Sequence, residues 1–109
     1  MIEVRHYINL AGRDVFDEWL SNLGDARAQA KVAVRIDRLA AGNFGDCKPL
    51  RDGLWELRID WGPGYRVYYS LTNKACVLLL SGGDKRRQAT DIERALAYLW
   101  DNKERTKSK

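Results

Sequence analysis

Histidine is almost absent from this chain of 109 residues: there is one, His6, alongside two cysteines, Cys47 and Cys76, that lie far apart. A His/Cys zinc site needs more ligands than that, and no run of carboxylates has metal-ligand spacing, so neither a metal nor another cofactor is expected. Cys76 falls inside an apolar strand, where a small thiol reads as core rather than as ligand or nucleophile. Long apolar runs are missing too. The longest, Ala75 to Leu80, is far too short to cross a bilayer, and residues 1 to 10 lack a signal-peptide core, so a cytoplasmic protein without membrane contact is expected. Repeats and low-complexity segments are absent. The length suits one domain with a single core, placed at residues 1–102, followed by a basic, flexible tail at 103–109.

The net charge of +4 is unevenly spread. Residues 1–50 carry seven Lys+Arg against seven Asp+Glu, and residues 51–109 carry twelve against eight, so the whole excess lies in the second half. A modest positive charge by itself only keeps a small protein soluble. Its position is more telling than its size, because it coincides with the densest pattern in the chain.

The N-terminal half reads as a strand over 2–8 and two helices. Arg13 to Leu23 puts Val15, Phe16, Trp19, Leu20 and Leu23 on one stripe, ended by Gly24. Asp25 caps a second helix to about Ala41, with Val32, Ile36 and Leu39 on its apolar side. The pair forms a hairpin that must cover one face of a sheet.

The pattern that follows is LWELRIDWGPGYRVYY, two strands around a Gly-Pro-Gly turn. Trp55, Leu57 and Ile59 alternate with Glu56, Arg58 and Asp60, and Tyr65, Val67, Tyr69 and Leu71 alternate with Arg66, Tyr68 and Ser70. Cross-strand partners share a face, so either Arg58 faces Arg66 or Asp60 does; both registers put Arg58 and Arg66 on the side opposite the core. Either arginine alone reads as a solubilising residue of a solvated face. Together, beside the aromatic Tyr68, they read as a polyanion surface, since cations meet phosphates and an aromatic face meets an unstacked base. Trp61 either stacks on a base or covers the end of the core.

Val77 to Leu80 is apolar on both faces, as in a central strand covered from both sides. Gly82-Gly83 permits a sharp exit into a loop over 81–89 that presents Lys85, Arg86 and Arg87. Thr90 and Glu93 form a capping box for a last helix from about Asp91 to Asn102, whose N-terminus adds to the positive potential of that loop.

The combination ELRIDWGPGYRVYY, apolar strand and LSGGDK resembles the RelE/ParE/HigB superfamily of bacterial toxins, in its HigB-like branch of addiction-module killer proteins. The resemblance implies an α+β domain of RelE type: a small, mainly antiparallel sheet, an N-terminal helical hairpin on one face and a C-terminal helix. It also implies the toxin of a type II toxin-antitoxin system that cleaves mRNA on the ribosome. A cognate helix-turn-helix antitoxin would be its partner and would carry the operator-DNA binding. ParE-like members of the same fold poison DNA gyrase instead, and a relic that only binds its antitoxin is a third reading, so fold alone does not choose.

Metal-free RNA cleavage needs cations on the non-bridging oxygens and on the leaving oxygen, and guanidinium groups suit the first task. The expected catalytic residues are Arg66 as phosphate clamp, Arg58 positioning the backbone and Lys85 stabilising charge or supplying a proton. Tyr68, Arg86 and Arg87 are expected to bind RNA. Relatives often carry a tyrosine, histidine or aspartate near the start of the last helix; this chain has Asp91 there and Tyr98 two turns on. The general base stays open among Asp91, Lys85 and Tyr68. With Arg66 on an open face, Arg66→Ala should remove activity, at a cost on the order of 3 kcal/mol, and leave the fold intact.

Overall fold

The computed structural model describes residues 2–73 and 75–107. Five strands form one sheet in the order β1-β5-β4-β3-β2: β1 Glu3–His6, β2 Cys47–Pro49, β3 Leu54–Ile59, β4 Tyr65–Asn73 and β5 Cys76–Asp84. The pairings are antiparallel except for β1, an edge strand that runs parallel to its neighbour β5. Helices α1 (Val15–Ser21) and α2 (Ala26–Ala40) precede β2, and α3 (Gln88–Lys107) closes the chain. No helix of the described residues is long and apolar enough to cross a membrane.

The helical hairpin covers one face. Asp14 and Asp25 cap the two helices through their side chains. Phe16, Val32 and Leu39 pack on Leu57, Val67, Tyr69, Val77 and Leu79, the inward set of the alternating strands. Trp61 belongs to this side. It packs on the core edge and holds the Lys31 ammonium 4.8 Å above its ring, so it takes the covering role rather than the base-stacking one.

The opposite face is a second core rather than an open surface. Tyr68, Leu54, Leu78 and Leu80 are buried there beneath Tyr7 and, from α3, Ala95 and Leu99. Alternation correctly assigns side chains to a face; it does not say what covers that face. The expected ring of Tyr68 on an open surface is therefore corrected: it is fully buried and has no face to offer a base.

Three boundaries also differ. β5 runs on through Gly82 and Gly83 to Asp84, and neither glycine has a left-handed backbone, so the strand has no sharp exit there. Asp84, through its carboxylate on the Arg86 amide, starts a 3-10 turn over Lys85–Arg87 that leads directly into α3 at Gln88. Thr90 is thus already inside the helix, and Glu93 pairs with Arg51 rather than completing a capping box. At the other end, α3 continues through Lys107, anchored where Arg105 pairs with Asp101 at 2.8 Å and lies over the Tyr7 ring. The basic tail is helix over 103–107; residues 108 and 109 lie outside the described residues.

Candidate functional site

On the α3 face, the strand register arranges side chains in rows that change character along the sheet. Leu54 pairs with Ser70, and Ser70 with Leu78, within the second core. The next row, Glu56, Tyr68 and Ser81, is polar yet buried. The last row is Arg58, Arg66 and Gly83. Of the two registers compatible with the alternation, Arg58 directly opposite Arg66 is the one adopted.

Each arginine is already held by a carboxylate. Arg58, partly exposed, donates to Asp46 Oδ1 from Nη2 at 2.8 Å and from Nε at 3.1 Å. Arg66 is nearly buried and lies with Nε 3.4 Å from Oε2 of the fully buried Glu56. Its Nη1 donates to the Gly64 carbonyl at 3.2 Å. Glu56 Oε2 also accepts from Gln88 Nε2 at 2.8 Å, so the first residue of α3, the buried carboxylate and Arg66 form one tie. Ion pairing through Nε and the bond from Nη1 orient the guanidinium, and Nη2 is engaged by no hydrogen bond among the described residues. Glu56 looks, in the sequence, like one more polar residue of a solvated face; its pairing with Gln88, 32 positions on, has no local signature.

The glycines at the end of β5 serve close packing. A side chain at Gly82 would collide with the ring of Trp19 on the hairpin face. A Cβ at Gly83 would overlap Asp91 Oδ2 and lie 2.8 Å from its Cγ. The Asp91 carboxylate thus rests on bare backbone at the end of the Arg58–Arg66 row. Lys85 reaches the same corner: its Cβ and Arg66 Nη1 would both be about 4 Å from a side chain at Gly64, at 3.8 and 3.7 Å. Gly64 and Gly62 sit at φ of +81° and +56°, the left-handed turn that brings Arg66 back under the loop.

Beside this corner is a cleft of about 620 Å³, at the edge of β5 where β1 has already ended at His6 opposite Leu79. Trp19 and Val15 line it from the hairpin side, and Arg87, Asp91, Arg94 and Tyr98 from the 3-10 turn and α3. Among the described residues no hydrogen bond or ion pair holds Lys85, Arg87, Arg94 or Asp91. Arg86 is less available, since it pairs with Asp84 at 2.9 Å and holds that carboxyl below its ordinary range. The structure therefore brings Arg58, Arg66 and Lys85 to one side of the sheet, keeps Arg87 at the cleft, commits Arg86 locally and withdraws Tyr68. It adds Arg94 and Trp19, sets Asp91, one of the three candidate bases, against Gly83, and puts Tyr98 on the wall of the cleft. Among the described residues no group of three His, Cys, Asp or Glu is placed to hold a metal ion.

Burial raises the Asp91 carboxyl above its ordinary 3.8, and Asp84 adds to this, while Arg94 and Arg87 oppose it. Tyr68 moves further from use as a base, because burial and the charge of Glu56 drive its hydroxyl far upward. The Asp91 shift has a consequence for stability. A carboxyl raised by folding favours the fold when protonated, so its contribution is present below 3.8 and is lost as pH rises through the elevated value. Asp91→Asn is accordingly expected to be more stable than the wild type at pH 7, with the advantage shrinking as the pH is lowered toward 4. Thermal melts across that range check it, and a variant less stable than wild type at pH 7 would contradict the assignment.

The family described as Phage derived protein Gp49-like matches residues 18–97. A protein from Haemophilus influenzae, described as an uncharacterized protein, is 56% identical over 80 residues, which cover 73% of this chain and 81% of that one. The residues matched by the family contain the whole arginine row, the Lys85 turn and Asp91.

Proposed function

This chain belongs to the Gp49-like family of phage-derived proteins, and on that footing we propose that it is the toxin of a type II toxin-antitoxin system: a metal-independent endoribonuclease of the RelE/HigB kind that cleaves mRNA on the ribosome in the cytoplasm. The observation that carries the reading is the row of Arg58, Arg66 and Gly83 across three strands, with Asp91 lying on its last member and Lys85 beside it.

In this reading Asp91 accepts the proton of the attacking 2'-hydroxyl; burial raises its carboxyl, which makes its carboxylate a stronger base than an ordinary aspartate. Arg66, oriented by Glu56, binds the non-bridging oxygens as charge grows on them. Arg58 exchanges Asp46 for the backbone of the same strand of RNA. Lys85, exposed and unpaired among the described residues, stabilises or protonates the leaving 5'-oxygen. The products would end in a 2',3'-cyclic phosphate. The surplus positive charge at Lys85, Arg87 and Arg94 also favours an acidic segment of a cognate helix-turn-helix antitoxin as the neutralising partner, and operator DNA would be reached only through that partner.

A purified translation system with mapping of mRNA ends tests the reading. Cleavage that persists in EDTA on ribosomes shown to remain intact, and that is lost in Asp91→Asn by about a hundredfold or more, is the expected result. Intact mRNA together with inhibited gyrase supercoiling would replace it with the ParE-like activity. Inactivity in both, with capture of a co-expressed antitoxin, would leave only the relic.

A further inference from the structure

The even charge count of residues 1–50 conceals a one-sided helix. α2 carries four basic residues, Arg27, Lys31, Arg35 and Arg38, against one acidic residue, Asp37. Each cation stands one turn from the next, where like charges repel. Arg27 also lies in the first turn, with no carboxylate there to offset the positive end of the helix. Nothing within the chain relieves this arrangement. Among the described residues no hydrogen bond or ion pair holds the side chains of Arg27 and Arg38, and Lys31 has only the ring of Trp61 beneath it. Arg35 alone is committed, its Nη1 donating to the Arg58 carbonyl at 2.7 Å.

The same cations line a groove of about 700 Å³ between α2 and the end of β3. Part of its lining is aliphatic: Val34 is 46% exposed, and Ala30 and Ile59 lie beside it. Asp60 is the only carboxylate in the lining among the described residues. An apolar strip between unneutralised cations fits a protein segment that carries both carboxylates and an aliphatic side chain. Nucleic acid fits it less well. Its phosphates would be met, but Val34 and Ile59 offer no face to a base, and Lys31 already covers the Trp61 ring.

We propose that this groove docks an acidic helix of a partner protein, its carboxylates on Arg27, Lys31 and Arg38 and an aliphatic side chain on Val34. Arg27 to Arg38 spans about 16 Å along α2, or roughly three turns, so a partner helix of similar length with carboxylates at one-turn spacing matches it. The groove belongs to the hairpin side of the sheet, whereas the arginine row lies on the α3 side. Arg35 touches β3 there only through a backbone carbonyl. The partner therefore docks without entering the phosphate corner, and the inference does not depend on the RNA-cleavage reading.

The probe is a helical peptide of three to four turns, with glutamates at one-turn spacing and a central leucine, titrated into the wild-type protein and followed by amide and indole chemical shifts. The same peptide with serine in place of leucine, and a single-stranded RNA of equal charge, are the comparisons. Saturable shifts are expected at Lys31, Val34 and Arg38 and at the Trp61 indole N–H, with the serine peptide weaker by about tenfold or more and the RNA leaving these signals in place. Arg27→Glu combined with Arg38→Gln, and separately Val34→Asp, should each weaken the leucine peptide by about tenfold or more while thermal melts show a folded protein. Both variants should cut mRNA on ribosomes as the wild type does. Absence of shifts, equal affinity with and without leucine, unaltered affinity in the folded variants, or RNA seated in the groove would each overturn the proposal. Slower mRNA cleavage by the folded variants would overturn it too, by assigning the groove to the ribosome. A wild-type protein that binds the peptide here but cuts no mRNA keeps this inference and sinks the nuclease.

Discussion

Replacing Arg66 with alanine is expected to lower stability by about 3 kcal/mol as well as removing activity, because it strands a buried carboxylate. Glu56 has no exposed surface, and Arg66 is its only cationic neighbour by ion pairing among the described residues. Gln88 would remain as a neutral donor. In a domain of this size such a loss amounts to roughly 10 °C in melting temperature. An inactive Arg66→Ala protein would therefore say little about catalysis. The informative variant is Arg66→Met with Glu56→Gln, in which neither charge is buried; it should recover most of the lost stability and stay inactive, with cleavage reduced by about a hundredfold or more. Chemical denaturation and cleavage on the same preparations decide the matter. A single Arg66→Ala protein as stable as the wild type would show that Glu56 does not depend on the pair, and a double variant that regained cleavage would remove Arg66 from the chemistry.

That expectation differs from the one drawn from sequence, where Arg66 stands on an open face and can be deleted without harm, and the reason is general. Period-two alternation in Trp55–Asp60 and Tyr65–Leu71 correctly puts Leu57 and Val67 on one face and Arg58 and Arg66 on the other, but leaves two registers open, of which the structure adopts Arg58 opposite Arg66. It cannot distinguish a face bathed in water from one roofed by a helix thirty residues away. Only the roof, α3, makes Tyr68 core and Glu56 a buried anchor. The hairpin helices were legible because apolar stripes and the Asp25 cap are local features, and Ala26–Ala40 falls where they put it, whereas α1 is shorter than its Arg13–Leu23 stripe because Asp14 caps it at Val15.

The end of β5 was less legible for a different reason. Two consecutive glycines before a basic run look the same whether the backbone turns there or merely needs room. Here they need room, on opposite faces, for Trp19 and Asp91. The short β2, with Pro49 in an edge strand of three residues, has too few positions to show any period. Asp91 itself was visible as a candidate base, but nothing in the sequence tied it to Gly83 or to the arginine row. Ser81, likewise, reads as the first residue of a loop rather than as a buried member of the Glu56–Tyr68 row.

Gly83→Ala carries the other large expected effect, and it follows from that contact. The new methyl would overlap Asp91 Oδ2 and press on Cγ at 2.8 Å, and since the Gln88–Glu56 tie holds the first turn of α3 to the sheet, the carboxylate is the group that yields first and turns off the strand. Relief requires a shift of the carboxylate, of the helix start, or of both. Overpacking of this kind costs about 1 to 3 kcal/mol, and a displacement near 1 Å at a reacting group costs about a hundredfold in rate. Gly82→Ala makes the matched comparison, since its methyl meets Trp19 on the other face and leaves Asp91 untouched. Both variants should lose comparable stability, while only Gly83→Ala should lose the bulk of mRNA cleavage at concentrations where both are folded. Thermal melts establish the first point and end-mapping of cleaved mRNA the second. Equal cleavage by the two proteins would mean that the position of Asp91 over the strand does not matter, and the proton acceptor would then have to be sought at Lys85.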